Sequence, residues 1–197
     1  MIGPGPAGIL PSTLPSGLRV HGGADRGRRL ESPRGVRPSQ GVVKEAVFNM
    51  LGSLEGERVI DLFAGSGALG IEALSRSAGQ VIFVERDDRA AAVIRRNLDA
   101  LGYRERSLVV RAEVGRWLRA HVAEVASAGV VLVDPPYNDA VLDIALRLLD
   151  EITSAGAVVV VEHSVRRALP SLSRLSAARQ RRYGDTAVTL LEVPSDQ

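Results

Sequence analysis

The chain has 197 residues, 45% of them hydrophobic and 24% charged, which suits one substantial α/β core with a small extension rather than two full domains. It has no cysteine, which excludes disulfides and thiolate metal sites, and no apolar run approaches the roughly 20 residues that cross a bilayer. The net charge of +2 is uneven, with seven basic residues against three acidic ones from Met1 to Asn49 and 18 against 20 in the remainder; a basic extension on a slightly acidic body suggests a polyanion partner.

The start MIGPGPAGILPSTLPSG lacks the basic and apolar regions of a signal peptide, so a cytoplasmic protein without membrane contact is expected. Residues 1–16 hold four prolines and three glycines and read as a disordered leader. Residues 17–52 read as a basic hairpin and helix. Leu18 to His21 and Arg28 to Glu31 flank a Gly22-Gly23 turn region, and Ser39 is placed to cap a helix carrying Val42, Val43, Ala46, Val47, Met50 and Leu51 at helical spacing.

Residues 53–197 alternate strands and helices. Strands are predicted over 58–62, 80–85, 107–111, 130–134, 155–162, 174–183 and 186–193, with helices near 68–77, 87–101, 113–126 and 139–151. This implies a Rossmann-like, seven-stranded, mostly parallel sheet with helices on both faces. Only Gly184-Asp185 separates the last two strands, so they are expected to form an antiparallel hairpin.

After the first strand stands Asp61-Leu62-Phe63-Ala64-Gly65-Ser66-Gly67-Ala68-Leu69-Gly70. Its glycines let backbone pass close under a ligand. Asp61 would oppose a pyrophosphate held at the following helix N-terminus, but it suits S-adenosylmethionine, which has no phosphate and carries an ammonium and a sulfonium. Glu85 ends the next strand, 24 positions on, where a carboxylate can accept both ribose hydroxyls. The bland alternative is that these acids cap neighbouring helices or pair with Arg86 or Arg89.

The fourth strand runs into Asp134-Pro135-Pro136-Tyr137. Two prolines fix two φ angles and remove two N–H donors, leaving a rigid row of carbonyl acceptors; Asp134 adds a carboxylate and Tyr137 a flat ring. That is what holding an aromatic amine requires, with catalysis by positioning and by stabilising the charge developing on nitrogen. The alternative is a strand end followed by an ordinary turn. His21, His121 and His163 lack partners at ligand spacing, so no metal site is expected, and Trp117 reads as core.

With DLFAGSGALG and DPPY in place, the sequence resembles the class I S-adenosylmethionine-dependent methyltransferases. More narrowly it resembles the RsmD family, which methylates the exocyclic 2-amino group of a guanine in small-subunit (16S) ribosomal RNA. The likeness runs from Arg19 to Val193 and includes His21 to Leu30 (H-G-G-x-x-R-G-R-x-L), Arg37-Pro38, Glu45 to Asn49, and Asp61 to Arg76.

The resemblance implies a catalytic set of Asp134, Pro135, Pro136 and Tyr137. It implies cofactor contacts from Asp61, Phe63, Ala64, Gly65, Ser66, Gly67, Glu85, Arg86 and Asp134, with adenine near Ala112 and Glu113 and the methionyl end near Arg37 and Ser39. It places Arg26, Arg28 and Arg29 along RNA phosphates, and Arg19 and Lys44 join them as cations of the same extension. The substrate would be small-subunit ribosomal RNA, free or in an assembled particle, and the enzyme a monomer. The family usually has tryptophan where this chain has Asp25, which bears on the RNA contact at that point. DNA adenine and protein glutamine also present planar amines; the bare G-x-G-x-x-G admits an NAD-dependent oxidoreductase, and the basic extension admits a non-catalytic RNA-binding protein.

Overall fold

A computed structural model describes residues 17–33, 41–136 and 139–194; the leader at 1–16, Arg37, Ser39 and Tyr137 lie outside the described residues. Five parallel strands, β1 (Arg58–Leu62), β2 (Gln80–Glu85), β3 (Ser107–Arg111), β4 (Val130–Val133) and β5 (Val158–Ser164), are followed by β6 (Ser176–Tyr183) and β7 (Thr186–Glu192). They form one seven-stranded sheet in the order β3-β2-β1-β4-β5-β7-β6. β7 lies antiparallel to both β5 and β6. The chain leaves β1 toward β2 on one side and returns to β4 on the other, so the carboxyl ends of β1 and β4 flank the switch point where doubly wound sheets bind ligands.

The helices are α1 (Gly41–Leu51), α2 (Ala68–Ser75), α3 (Asp88–Leu101), α4 (Val114–Ala120), α5 (Val122–Ala126) and α6 (Asp139–Ile152). Strands β1 and β4 are buried almost throughout, as near-continuous apolar runs under helices on both faces require. One face packs Val59, Phe83, Leu132, Val160 and Val188 with residues of α1, α2 and α3. The other packs Ile60, Leu62, Val131 and Val161 with Trp117 and Leu118 of α4 and Leu142 and Leu146 of α6.

The sequence expectation of one helix over 113–126 is corrected to two, because His121 adopts φ −127°, ψ 46° between α4 and α5. Its ring nitrogen meets the Trp117 carbonyl at 3.0 Å and its ring stacks on that indole at 4.9 Å. The fifth strand starts later than expected because Gly156, at φ +82°, still belongs to the preceding turn.

The basic extension is built into this body. Val20 N donates to the Arg28 carbonyl at 3.0 Å and Leu30 N to that of Leu18 at 2.8 Å, closing the hairpin. Leu18, Val20 and Leu30 are buried in the same core as α2 and α3. His21 N donates to the Glu72 carboxylate at 2.7 Å, Asp25 N to Ser75 Oγ at 2.9 Å, and Glu31 N to Asn97 Oδ1 at 2.8 Å.

Candidate active site at the carboxyl ends of the strands

The glycine loop leaves β1 through left-handed backbone. Phe63, Gly65 and Gly67 have φ of 59°, 55° and 76°; for a phenylalanine this region costs about 1–3 kcal/mol and recurs at ligand clamps. Ala64 N donates to the Val84 carbonyl at 3.2 Å and Gly67 N to that of Ala64 at 2.7 Å, which fixes the loop across β1 and β2. A Cβ on Gly67 would meet Ile94 at 3.1 Å, and one on Gly70 would stand 2.3 Å from the Phe83 ring. The third glycine therefore serves the packing of α2 on the sheet. Ser66 is buried within the loop.

The acids converge on the same face. Asp61 follows Val59 by two positions, Glu85 follows Phe83, and Glu162 follows Val160, so strand alternation turns all three toward the face of α1, α2 and α3. Asp61 is 1% exposed, and its Oδ2 accepts from Gly70 N, in the first turn of α2, at 2.9 Å. Burial pushes its carboxyl up to about 7; the Gly70 hydrogen bond opposes the rise, while the charges of Asp134 and Glu85 add to it. Glu85 accepts from Gly65 N at 2.8 Å through one oxygen and from Asp87 N at 2.8 Å through the other. Both acids thus do brace local backbone, and among the described residues neither is ion-paired with Arg86 or Arg89. Glu85 keeps lone pairs at the site for a ligand, whereas Asp61 lies beneath the loop and acts on a ligand through its charge.

Asp134 and Pro135 are half-buried and Pro136 is exposed at the mouth of β4. Val133 is in register with Val161, which sets Asp134 beside Glu162 at the next position along β5. Sequence reasoning missed Glu162, although the signal was present. Like Asp61, Glu85 and Asp134, it is an acid that follows a run of consecutive apolar residues, here Val158 to Val161 within β5. Burial, and then the charge of Asp134, push its carboxyl up to about 8, and its Oε2 is buried without a hydrogen-bond partner.

The other expected contacts are peripheral or reassigned. Arg86 is exposed, and Ala112 N donates to the Glu85 carbonyl at 3.0 Å, joining the ends of β2 and β3. Both Glu113 oxygens accept from Gly115 N and Arg116 N, so it is the N-cap of α4.

Lys44, expected on the RNA-facing surface, is corrected. It is 0% exposed and its Nζ donates to the Arg19 carbonyl at 2.9 Å. A four-carbon stem carries the ammonium inward to this carbonyl and to the field of buried Glu72; burial lowers its pKa and Glu72 counters that. It cannot reach a phosphate.

Asp25, at the usual tryptophan position, faces the body, where it accepts from the Tyr103 hydroxyl and pairs with Arg28 at 3.6 Å. Arg28 also donates to the Ala100 carbonyl at 3.0 Å, and half-buried Arg19 donates to the Gly27 carbonyl at 2.8 Å. Arg26 and Arg29 are exposed and meet no carboxylate among the described residues. A second set of cations was not foreseen: edge strand β6 exposes Arg179, Arg181 and Arg182. Arg179, Arg181 and Tyr183 flank a groove of about 360 Å³ against Val42 and Asn49 of α1. Trp117, 2% exposed, is core as expected, and His163 meets Thr189 Oγ1 at 2.9 Å inside the sheet.

Residues 18–192 match the family model described as Conserved hypothetical protein 95. The chain is 37% identical over 179 residues to YlbH of Bacillus subtilis, covering 88% of this chain and 97% of that protein. It is 32% identical over 181 residues to the ribosomal RNA small subunit methyltransferase D of Escherichia coli K12, covering 89% of each. Among solved structures, a Thermus thermophilus protein, TTHA0928, superposes with a TM-score of 0.76 at 31% identity, covering 89% of this chain and 99% of that one. An RNA methyltransferase from Salinibacter ruber, solved with S-adenosyl-L-homocysteine, superposes with a TM-score of 0.62 at 17% identity, a likeness of fold, covering 82% of this chain and 96% of that one.

Proposed function

The chain belongs to the RsmD family of S-adenosylmethionine-dependent ribosomal RNA methyltransferases, and from that premise we propose that it methylates the exocyclic 2-amino group of a guanine in small-subunit ribosomal RNA. The observation that carries this reading is the placement of Asp134-Pro135-Pro136 at the end of β4, next to a glycine loop whose flanking charges are acids. The residues present fit the cofactor. Left-handed backbone at Phe63, Gly65 and Gly67 lets the ligand approach the chain, and a buried carboxylate at Asp61 favours an ammonium where it would repel a phosphate.

Asp61 and the loop backbone would hold the methionyl end, with Arg37 and Ser39 joining them, and Glu85 the ribose. The chemistry the cofactor supplies when bound is an electrophilic methyl on a sulfonium. Asp134 and the carbonyls of the proline turn accept the amine's protons and aim the nitrogen lone pair, while Tyr137 stacks the flipped base. Acceptors fixed before the reaction oppose no reorganisation as positive charge grows on nitrogen. Arg26 and Arg29, with Arg28 at the hairpin edge, contact backbone phosphate and set register rather than base identity.

The test incubates the protein, as a monomer, with labelled S-adenosylmethionine and either naked small-subunit RNA or small ribosomal particles lacking the modification, then maps the labelled nucleotide. Label on a guanine 2-amino group is expected, and the better of the two substrates identifies the assembly state recognised. Label on another base, or none, refutes the proposal. Asp134→Ala should abolish transfer while RNA binding is retained.

A further inference from the structure

The four acids at the strand ends are not equivalent. Asp61 is engaged with Gly70 N, and Glu85 with Gly65 N and Asp87 N; each shapes the loop that it faces. Glu162 supports no such contact. Its Oε2 is buried and accepts no hydrogen bond among the described residues, inside β5 directly after four valines. A buried carboxylate oxygen without a donor is unfavourable, and one more valine here would avoid it. A group kept at such a cost beside the reacting amine's site is explained by a partner that arrives with the substrate.

The register identifies that partner chemically. Asp134 directly follows β4 and Glu162 directly follows Val161 in β5, so the last parallel pair, Val133 with Val161, sets the two side by side, on strands roughly 4.8 Å apart. With Glu162 ionised, they offer two acceptors to one planar edge. In guanine the atom next to the 2-amino group is N1, which carries a hydrogen. In adenine and cytosine the ring nitrogen next to the amine is an acceptor, and in a glutamine amide the neighbour is the carbonyl oxygen. Among these planar amines only guanine places a further donor on the ring atom next to the amine, where a second acceptor can take it.

We propose that Glu162 accepts the N1–H of the target guanine while Asp134 holds its 2-amino group, so that the pair selects guanine over other planar amines. This rests on the reading of function given above. Burial and Asp134 hold the Glu162 carboxyl up at about 8 in the free protein; arrival of the N1–H donor favours the ionised form, and the displaced proton passes to solvent.

Once the methylated nucleotide is mapped, RNA carrying 2-aminopurine at that position separates the alternatives. This base keeps the 2-amino group but presents an acceptor at N1 and lacks the 6-oxygen. Wild type assayed at pH 8.5, above the Glu162 titration so that its carboxylate can only accept, should methylate it with kcat/KM roughly 100-fold or more below guanine, the scale on which a hydrogen-bonding site rejects an analogue that cannot pair. Glu162→Gln, whose amide can either accept from or donate to N1, should narrow that gap to less than about tenfold. The narrowing isolates N1 from the missing oxygen, which the substitution does not restore. Unchanged S-adenosylmethionine affinity by calorimetry shows that the variant is folded. Equal use of the two bases by wild type, or undiminished discrimination in Glu162→Gln, overturns the proposal. Failure of wild type to label guanine at all refutes the reaction itself, and this selection with it.

Discussion

Lowering the pH from 7.5 to 6 withdraws the Asp61 charge, and the cofactor affinity should follow. This carboxyl is 1% exposed and titrates at about 7 in the free protein. Only its ionised form attracts the ligand's ammonium, part of which is already deprotonated at pH 7.5, so affinity should rise about five- to sixfold between pH 6 and 7.5, close to 1 kcal/mol. A free α-amino group titrates at about 7.7–8.0, so affinity should fall again above that range. Calorimetry across this range gives the curve, and repeating it in buffers of different ionisation enthalpy counts the proton released at low pH. Asp61→Asn should flatten the acidic limb and weaken binding at pH 7.5 to about the level of wild type at pH 6.

The free protein should show the opposite trend in stability. A carboxyl raised from 3.8 to about 7 on folding contributes fully below pH 4, and that contribution is lost as pH rises through 7. Saturating cofactor should counter this loss. Flat wild-type affinity from pH 6 to 7.5, or an undiminished slope in Asp61→Asn, refutes the reasoning.

Lys44→Met should lower stability by about 1–3 kcal/mol, because the Arg19 carbonyl loses its buried donor; denaturant midpoints report this, and the salt dependence of RNA binding should not change. Gly70→Ala forces a Cβ against the Phe83 ring and should cost about 1–3 kcal/mol by overpacking, again read from denaturant midpoints. Replacing Arg26 and Arg29 together with alanine should reduce the slope of log affinity against log salt by about one for each phosphate no longer neutralised, with no effect on S-adenosylmethionine binding. The same pair of measurements on Arg179 and Arg181 will show whether the β6 face also carries RNA.

The strands were legible because buried parallel strands read as short apolar runs, and acids marked where β1, β2 and β4 end; their order in the sheet came only with the structure. The break at His121 was not, since the apolar spacing continues through it and only the ring's bond to the Trp117 carbonyl interrupts the helix. Lys44 was misplaced for a related reason. A lysine counts as surface charge in any one-dimensional reading, and only the packed hairpin shows a carbonyl waiting below it. Glu113 reads identically as a cap or a ligand residue until its two oxygens are seen on Gly115 N and Arg116 N. Glu162 was not legible because it lies 28 positions after Asp134 in the chain, and only the parallel register of β4 with β5 brings the two together.

Asn97 joins two parts of the molecule that their sequence separation would keep apart. Its side chain accepts from Glu31 N, donates to the Glu31 carbonyl at 3.0 Å and reaches the Ser66 carbonyl of the glycine loop at 3.4 Å. Arg26 and Arg29 are therefore mounted on the same frame as the loop, without a hinge between them. Under the proposed function this shared frame would act as a calliper: an RNA seated on those arginines would offer to Asp134 only a nucleotide lying at one reach. Target choice would then depend on how the RNA folds between grip and base, as well as on which base it presents.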